Sequence, residues 1–367
     1  MAIKIGFVHE LNISSNLVQK FYKENWPTKI ALSNKKFYDW QFISPPSNSN
    51  NDFCVVAYDQ VNKKILGAMG LNKRDFYLCG KKKYGAELTT WVVSKDSIGS
   101  GFGVKILLYI QKNFEILIGM GISETALSIY MRLGFRYLKS IPRFVKIVNF
   151  DNIKDYSQYN NLASKLISMW KPKINNDFFV KPFDNEKYSE IEKLLKHHSN
   201  HFSRDIHHLV WRYKNHPYFN YKEFLIINPN TKLNFGAYVS LREEFSLSEF
   251  RVLHVMDIFG DENCILSGVK FIQNYAIENN IDVIDFYCTS SFVFKHFLAQ
   301  GWFSINDDIS FRFPHLFHPI ELREPPTTSL IYWSKDNFED LADLCKLYIT
   351  KQDADLDRPT GYTLKRI

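Results

Sequence analysis

The chain opens on an apolar run over residues 3–8 that predicts a strand, then an apolar stripe at helical spacing over 16–24 that predicts a helix. Apolar, β-rich segments at 52–59, 64–76 and 84–93 predict further strands, the first two joined by a turn at 60–63. A helical pattern at 104–113 follows, then a strand at 115–120, a helix at 123–133 and closing strands within 135–149. Antiparallel strands followed by helix and strand in alternation predict an α/β fold on a mixed sheet. Residues 151–176 read as a linker carrying its own short helix.

The second half repeats the first in outline. Trp40-Gln41-Phe42 has a counterpart in Trp211-Arg212-Tyr213, 171 residues on. Gly67 corresponds to Gly236, 169 residues on, and Leu133-Gly134-Phe135 to Gln300-Gly301-Trp302, 167 residues on. A nearly constant spacing across separate matches predicts a duplicated domain. The expected organisation is one domain over 1–150, the linker, and a second copy with a C-terminal tail over 177–367.

Between the strand at 84–93 and the helix at 104–113 stands Ile98-Gly99-Ser100-Gly101-Phe102-Gly103. Strand, glycine turn, helix places bare N–H groups at a helix N-terminus, where they can hold phosphate oxygens. A Cβ there would block close approach and positive φ. A second signature runs from Ser123 to Phe135. Ser123 can cap this helix and Gly134 can end it, while Ala126, Leu127, Tyr130 and Leu133 share a face. In the second copy the loop region reads Asp261 to Gly268 without the three glycines, and Phe297 stands where the first copy has Tyr130. One ligand site per chain is expected, in the first domain.

Together the two signatures resemble the acyl-CoA-binding core of the GNAT superfamily of N-acyltransferases. Gly101 and Gly103 take the glycine places of the family loop Q/R-x-x-G-x-G/A, with Ile98 where the family has Gln or Arg. In the family helix N-x-x-A-x-x-L-Y-x-K-x-G-F, Ala126, Tyr130, Gly134 and Phe135 match, whereas Ser123, Ile129 and Arg132 replace Asn, Leu and Lys. The resemblance implies two tandem GNAT-like domains, the second degenerate, with acyl-CoA as cosubstrate. Its pyrophosphate would sit on Gly99, Ser100, Gly101, Phe102, Gly103 and Val104, with Ile98 and Ser123 beside them. Its pantetheine arm would follow Trp91, Val92 and Val93, whose backbone would also supply the oxyanion donor.

The same resemblance implies direct attack of a neutral amine on the thioester. Glu87 lies eleven residues before Ile98, the spacing of the glutamate base in histone-type members. As an isolated carboxylate in an apolar strand it is a candidate for a raised pKa. The competing readings are a solvent-facing or strand-end glutamate, with a water chain as base. Tyr130 is the candidate acid for the departing thiolate, against a core aromatic.

Residues 202–205, 211–218 and 348–359 resemble tandem-domain GNAT proteins of bacterial surface-polysaccharide pathways. This implies a dTDP-linked amino-dideoxy sugar as acceptor, with 3-hydroxybutanoyl-CoA or acetyl-CoA as donor, for O-antigen or capsule synthesis. Trp40, Trp211 and Arg212 become candidates to flank the base or hexose, against core packing at the shared repeat position. The alternatives are an acetyltransferase acting on a protein or small amine, a peptidyltransferase using aminoacyl-tRNA, and a non-catalytic CoA- or glycan-binding module.

Composition narrows the field. With 45% apolar and 23% charged residues the chain reads as soluble and globular. The net charge of +7 is dispersed, and its one run, Lys81-Lys82-Lys83, falls at an expected turn. No nucleic-acid track is expected. Five cysteines stand far apart without metal spacing and read as reduced core thiols of a cytoplasmic protein. The histidines at 197, 198, 201, 207 and 208 lack ligand partners at metal spacing and read as polar surface, so no metal is expected. Asp353, Asp355 and Asp357 alternate without the glycine and glutamate of a calcium loop and read as a solvated tail or turn. Neither a signal-peptide profile nor a membrane span is expected. The second domain is expected to supply stability, an acceptor wall or a homodimer face.

Overall fold

The computed structural model describes residues 3–27, 30–170, 174, 178–185, 191–197, 200–228, 235–246, 250–306, 311–314, 316–317, 320–321, 327–336, 338–353 and 357–360. The first half holds β1 (Ile3–Phe7), α1 (Ser15–Asn25), α2 (Lys35–Phe42), β2 (Val55–Asp59), β3 (Lys64–Leu78) and β4 (Lys81–Val93). It continues with α3 (Phe102–Asn113), β5 (Ile116–Met120), α4 (Glu124–Arg132), β6 (Arg136–Leu138) and β7 (Arg143–Ile147). A connector carries β8 (Gln158–Tyr159) and α5 (Asn161–Met169). Then come β9 (Phe179–Pro182), β10 (Asn200–Phe202), α6 (Ile206–Leu209), β11 (Tyr221–Ile227), β12 (Phe235–Phe245) and β13 (Arg251–Gly260). After α7 (Glu262–Glu278), β14 (Val283–Tyr287), α8 (Ser291–Ala299) and β15 (Phe303–Ser304) follow β16 (Phe311–Arg312), β17 (Leu316–Phe317) and β18 (Ile320–Glu321). The described chain closes with β19 (Leu330–Ser334), α9 (Phe338–Ala342) and β20 (Leu347–Tyr348).

Local chemistry starts the helices where the sequence places Ser or Asn. Ser14, Asn34, Ser123 and Asn160 each accept a first-turn N–H with the side chain, heading α1, α2, α4 and α5. Lys81-Lys82-Lys83 opens β4 itself, after a turn in which Cys79 and Gly80 both take positive φ. Cys54, Cys264 and Cys288 are buried free thiols, whereas Cys79 and Cys345 stand exposed.

The strands form two mixed α/β sheets. One runs β1-β2-β3-β4-β5-β19-β6 with β10 added beside β3 and β20 beside β10; the other runs β15-β7-β14-β13-β12-β11-β9. In each, one central pair is parallel: β4 with β5, and β13 with β14. The sheets do not follow a cut at residue 150. β7 lies between β14 and β15 in the second sheet, and β19 lies between β5 and β6 in the first. The first half thus lends β7 to the second sheet, and the second half lends β10, β19 and β20 to the first. Hydrophobic period shows that a segment is a strand and does not say which sheet receives it.

On one face of the first sheet, Leu88, Ile106, Leu107, Leu117, Tyr130 and Ile331 share a core with α3 and α4. On the other face Tyr22, Tyr38, Phe42 and Ala68 pack with Trp211 of the second half. Trp40 and Trp211 stack at 5.0 Å and 17°. Each indole N–H donates to the other's carbonyl, at 3.0 and 2.8 Å. A contact that reads the same in both directions marks a local twofold relation between the matched segments. Among the described residues no helix is long and apolar enough to cross a membrane.

Candidate active site

Pairing between β4 and β5 stops at Leu88 opposite Gly119, yet β4 runs on to Val93. At that point its register against β3 slips. Met69 faces Trp91 and Leu71 faces Leu88, so Thr89 and Thr90 stand opposite Gly70 alone. This β-bulge leaves one residue outside the ladder. Gly70 makes room for it, since a Cβ there would stand 2.5 Å from the Phe42 ring. From α1, the Tyr22 hydroxyl donates to the Thr90 carbonyl at 3.0 Å.

Beyond the bulge the predicted loop opens to solvent. Gly99 and Gly101 take φ of +82° and +77° with open space where a Cβ would be. Gly101 is the N-cap of α3 and offers no side-chain acceptor. The first-turn N–H groups, at Phe102, Gly103 and Val104, therefore lack both an intrahelical partner and a side-chain cap. Gly103 serves a different purpose: a Cβ there would meet the Trp91 ring at 2.7 Å. Trp91 in turn meets Tyr130 edge-on at 5.3 Å. The buried indole N–H of Trp91 has no hydrogen-bond partner, nor does the Thr89 hydroxyl. Loop, Trp91 and Tyr130 are thus brought together on the α3 face of β4.

The remaining loop predictions scatter around that centre. Val92 packs with the α1–α2 core, and Val93 lies near Gly67 beneath α3. Ser100 donates to the Ser97 carbonyl, and Phe102 leans on the α3 core. Ile98 is 76% exposed and reaches no core. The exposed Ser123 hydroxyl accepts from Ala126 N–H at 3.3 Å. Burial lifts the Tyr130 phenol well above its ordinary pKa, so it keeps its proton at neutral pH.

Glu87 lies on the opposite face of β4 and is buried, not solvent-facing. Its carboxylate accepts from Arg74 at 2.5 Å and from the Asn72 amide at 3.4 Å. Asp353 takes the same Arg74 nitrogen at 2.9 Å. Burial raises the Glu87 pKa, Arg74 opposes the rise and Asp353 adds to it. The ion pairs continue across the halves: Arg204 holds Asp353 at 2.5 Å and Asp257 at 2.8 Å.

The carboxylates read as a solvated tail are in fact internal where they are described. Asp353 and Asp357 are 2% and 3% exposed, while Asp355 lies outside the described residues. Asp357 pairs with Arg242 at 2.6 Å and accepts from the Tyr221 hydroxyl at 2.6 Å. Burial alone would raise its pKa, but Arg242 and Arg212 hold it well below the carboxylate range. Arginines spread from residue 74 to 242 neutralise the tail, and no local pattern announces that. The histidines diverge similarly. His201 and His208 are buried, and burial lowers both pKa values, His201 to about 4. His207 is exposed; His198 and the side chain of His197 lie outside the described residues. Among the described residues no His, Cys, Asp and Glu group could hold a metal ion.

A small cavity of about 20 Å³ lies against Glu87, and Trp40, Trp211 and Arg212 also line it, with Gln41 and Asn72. Both tryptophans are therefore packed on each other and cavity wall at once. Arg358 lines it too and donates to the Thr90 hydroxyl at 3.3 Å, joining cavity to bulge. Sequence reading missed Gln41, Asn72, Arg74 and Arg358. A signal for two of them was present: the run Asn72-Lys73-Arg74-Asp75 interrupts an apolar strand, and alternation puts Asn72 and Arg74 on one face of it.

No protein-family description and no curated protein sequence matches the chain. Solved structures do. A GCN5-related N-acetyltransferase from Anabaena variabilis superposes with TM-score 0.55 at 12% identity, over 90% of this chain and 72% of that one. N-myristoyltransferase from Saccharomyces cerevisiae, with bound myristoyl-CoA, gives 0.53 at 9% identity, over 90% and 82%. A GCN5-related N-acetyltransferase from Kribbella flavida gives 0.52 at 11% identity, over 91% and 71%. The chain has the GNAT fold. At such identities the likeness concerns the fold alone.

Proposed function

We propose that the chain is an acyl-CoA-dependent N-acyltransferase. One observation carries the reading: a bulged β4 with an uncapped helix N-terminus on one face and a buried carboxylate on the other. The loop side suits a CoA pyrophosphate, because Gly99 and Gly101 leave open space and the Trp91 indole N–H lacks a partner. In the proposed step the amine nitrogen bonds to the thioester carbon and the C–S bond breaks. Glu87 takes the amine's proton, the backbone at 91–93 faces the charge developing on oxygen, and Tyr130 hydrogen-bonds the leaving sulfur.

For the acceptor we adopt the amine of a dTDP-linked amino-dideoxy sugar, acylated from 3-hydroxybutanoyl-CoA or acetyl-CoA for bacterial surface polysaccharide. Its support is the resemblance of residues 202–205, 211–218 and 348–359, and the fact that Arg204, Arg212, Asp353 and Asp357 of those segments brace the cavity region. The test is thiol release from acyl-CoA in the presence of such amines. Glu87→Gln is expected to lower kcat/KM by about 10²–10⁴-fold. Glu87 acts only when ionised, so wild-type kcat/KM should climb with pH along a limb above the ~4.3 of an ordinary glutamate. That limb should vanish in the variant. Acyl-CoA binding without thiol release to any amine would instead favour a non-catalytic binding module.

A further inference from the structure

Away from β4, Lys146 of β7 is a buried cation without an anion. It is 3% exposed, and among the described residues no carboxylate pairs with it. Its ammonium donates to the Gln300 and Gly301 carbonyls at the end of α8, at 2.9 and 3.2 Å. The charge lies over the Trp170 ring, 4.3 Å from its centre. Burial lowers the Lys146 pKa to about 8, which still leaves it mostly protonated at neutral pH. The first half shows that a charge is not needed at such a helix end. There the Leu133 carbonyl, which matches that of Gln300, is served by the neutral Gln111 amide at 2.9 Å. Trp333 of β19 holds the place of Lys146: it faces Leu117 of β5 as Lys146 faces Ile284 of β14. Leu117 and Ile284 both stand on the second rung of their parallel pairs. Trp333 lies against Phe135 with 6.3 Å between ring centres, so an ammonium in the second half replaces a packed indole.

Beside this ammonium lies a cavity of about 620 Å³, lined by Lys146, Leu166, Ile167, Met169, Trp170 and Trp302 among others. The volume falls within the ~300–1,000 Å³ range of small-molecule sites. Leu166 and Met169 of α5 are 47% and 76% exposed, so the wall they form is open to solvent. The buried indole N–H of Trp302 has no hydrogen-bond partner and supplies a second donor to the lining. An apolar wall with an ammonium and a spare N–H suits one negative charge on an apolar body. The two oxygens of a carboxylate match two donors. A phosphate brings more oxygens and up to two charges, and among the described residues no arginine lines the cavity. A cationic headgroup would be repelled by Lys146. The unbranched or aliphatic side chains of Leu166, Ile167 and Met169 suit a flexible chain.

We propose that this cavity is a binding site for a single-chain aliphatic carboxylate, with its headgroup on Lys146 and its chain along Leu166, Ile167 and Met169. The site belongs to the second sheet, away from Glu87 and the glycine loop, and does not depend on N-acyl transfer there.

The test is calorimetric titration of the full chain with decanoate, decanol, decyltrimethylammonium and acetate, the decyl compounds kept below micelle formation. Lys146→Gln and Met169→Glu are titrated alongside, with melting temperature and sedimentation velocity for each. Decanoate should bind at least about tenfold more tightly than decanol, the scale of a hydrogen bond to a charged group. It should bind at least about a hundredfold more tightly than acetate, which has the charge without the chain. Decyltrimethylammonium should bind no better than decanol. Lys146→Gln keeps a donor for the end of α8 and should bring decanoate down to the affinity of decanol. Met169→Glu changes an exposed position, so the melting temperature should hold while like charge weakens decanoate at least about tenfold. Equal binding of decanoate and decanol, or binding of neither, would overturn the proposal. So would decanoate affinity unchanged in both variants. A dimer that Met169→Glu dissociates, with no decanoate binding by the wild type, would make this face a contact between copies of the chain and overturn it as well. If Lys146→Gln proves unstable, Met169→Glu decides.

Discussion

β4 and β13 hold the same place in the two halves and part company at one bulge. β4 follows β5 to Leu88 opposite Gly119 and bulges at Thr89–Thr90; β13 follows β14 to Val255 opposite Phe286 and bulges at Met256. Past the bulge the first half opens into a turn whose Gly101 leaves α3 uncapped. In the second half Gly260 passes directly to Asp261, which heads α7. There Cys264 is packed so close that a Cβ on Gly236 would lie 2.9 Å from its Cβ. A side chain of β20 takes up the freed backbone: the Tyr348 hydroxyl donates to the Ile258 carbonyl at 2.7 Å and accepts from its N–H at 3.3 Å. Facing side chains also exchange charge. Arg74 on β3 pairs with Glu87, whereas Glu244 on β12 accepts from His254 at 3.0 Å. One frame can keep a cleft or close it, and duplication lets the closed copy serve as wall and brace.

The strongest way to break this comparison is to fill both helix starts. Gly101→Trp should abolish measurable acyl-CoA binding, read by calorimetry. The αL backbone at Gly101 adds a folding cost of about 1–2 kcal/mol for any L-residue, a modest loss that leaves the fold in place. Asp261→Trp should leave acyl-CoA affinity unchanged. Normal affinity in Gly101→Trp, or loss in Asp261→Trp, would put the ligand in the wrong half.

The brace can be tested next. Asp353→Ala leaves Arg74 and Arg204 in a buried junction without their shared carboxylate. Breaking a buried pair in this way costs about 3–5 kcal/mol, measurable by denaturant unfolding. The pH dependence has opposite signs at the two neighbours. Asp357, held low, contributes stability that is present above the ~3.9 of an unfolded aspartate and fades as pH falls. Glu87, held high, favours the fold below its unfolded value, and that contribution is lost as pH rises through its folded one. An exposed, mobile tail would show neither the loss nor the acid dependence.

What the sequence revealed follows from how local each cause is. The glycines at 99 and 101 act within one turn, and Ser123 caps a helix three residues away, so both were legible. Glu87 was singled out by the spacing that the family resemblance supplies, and its burial beside Arg74 comes from residues far along the chain. α2 was not assigned, although Asn34 caps it as Ser123 caps α4. The exchange of β7 and β19 rests on pairing with strands far away along the chain, and no residue of either segment records that. The cavity is harder still. Gln41 comes from a helix, Asn72 from a strand and Arg212 from the other half, and only folding makes them neighbours.

The smallest expected effect is also the sharpest test, because it turns on one oxygen atom. Tyr130 and Phe297 stand at matching places, each edge-on to the aromatic residue five positions later, at 5.0 and 4.8 Å. Packing cannot tell the two rings apart; the hydroxyl can. If it assists the leaving sulfur, Tyr130→Phe should lower kcat about tenfold and leave the acyl-CoA KM nearly unchanged, the mark of an interaction made in the transition state. The reciprocal Phe297→Tyr puts a hydroxyl into a closed core between Phe286 and Trp302. It should cost about 1–3 kcal/mol of stability as an unpartnered buried group and gain no activity. Unchanged kcat in Tyr130→Phe would make Tyr130 what Phe297 is, a core ring, and would leave the thiolate to be protonated by water. The two halves would then differ in the loop and the cavity but not in their aromatic cores.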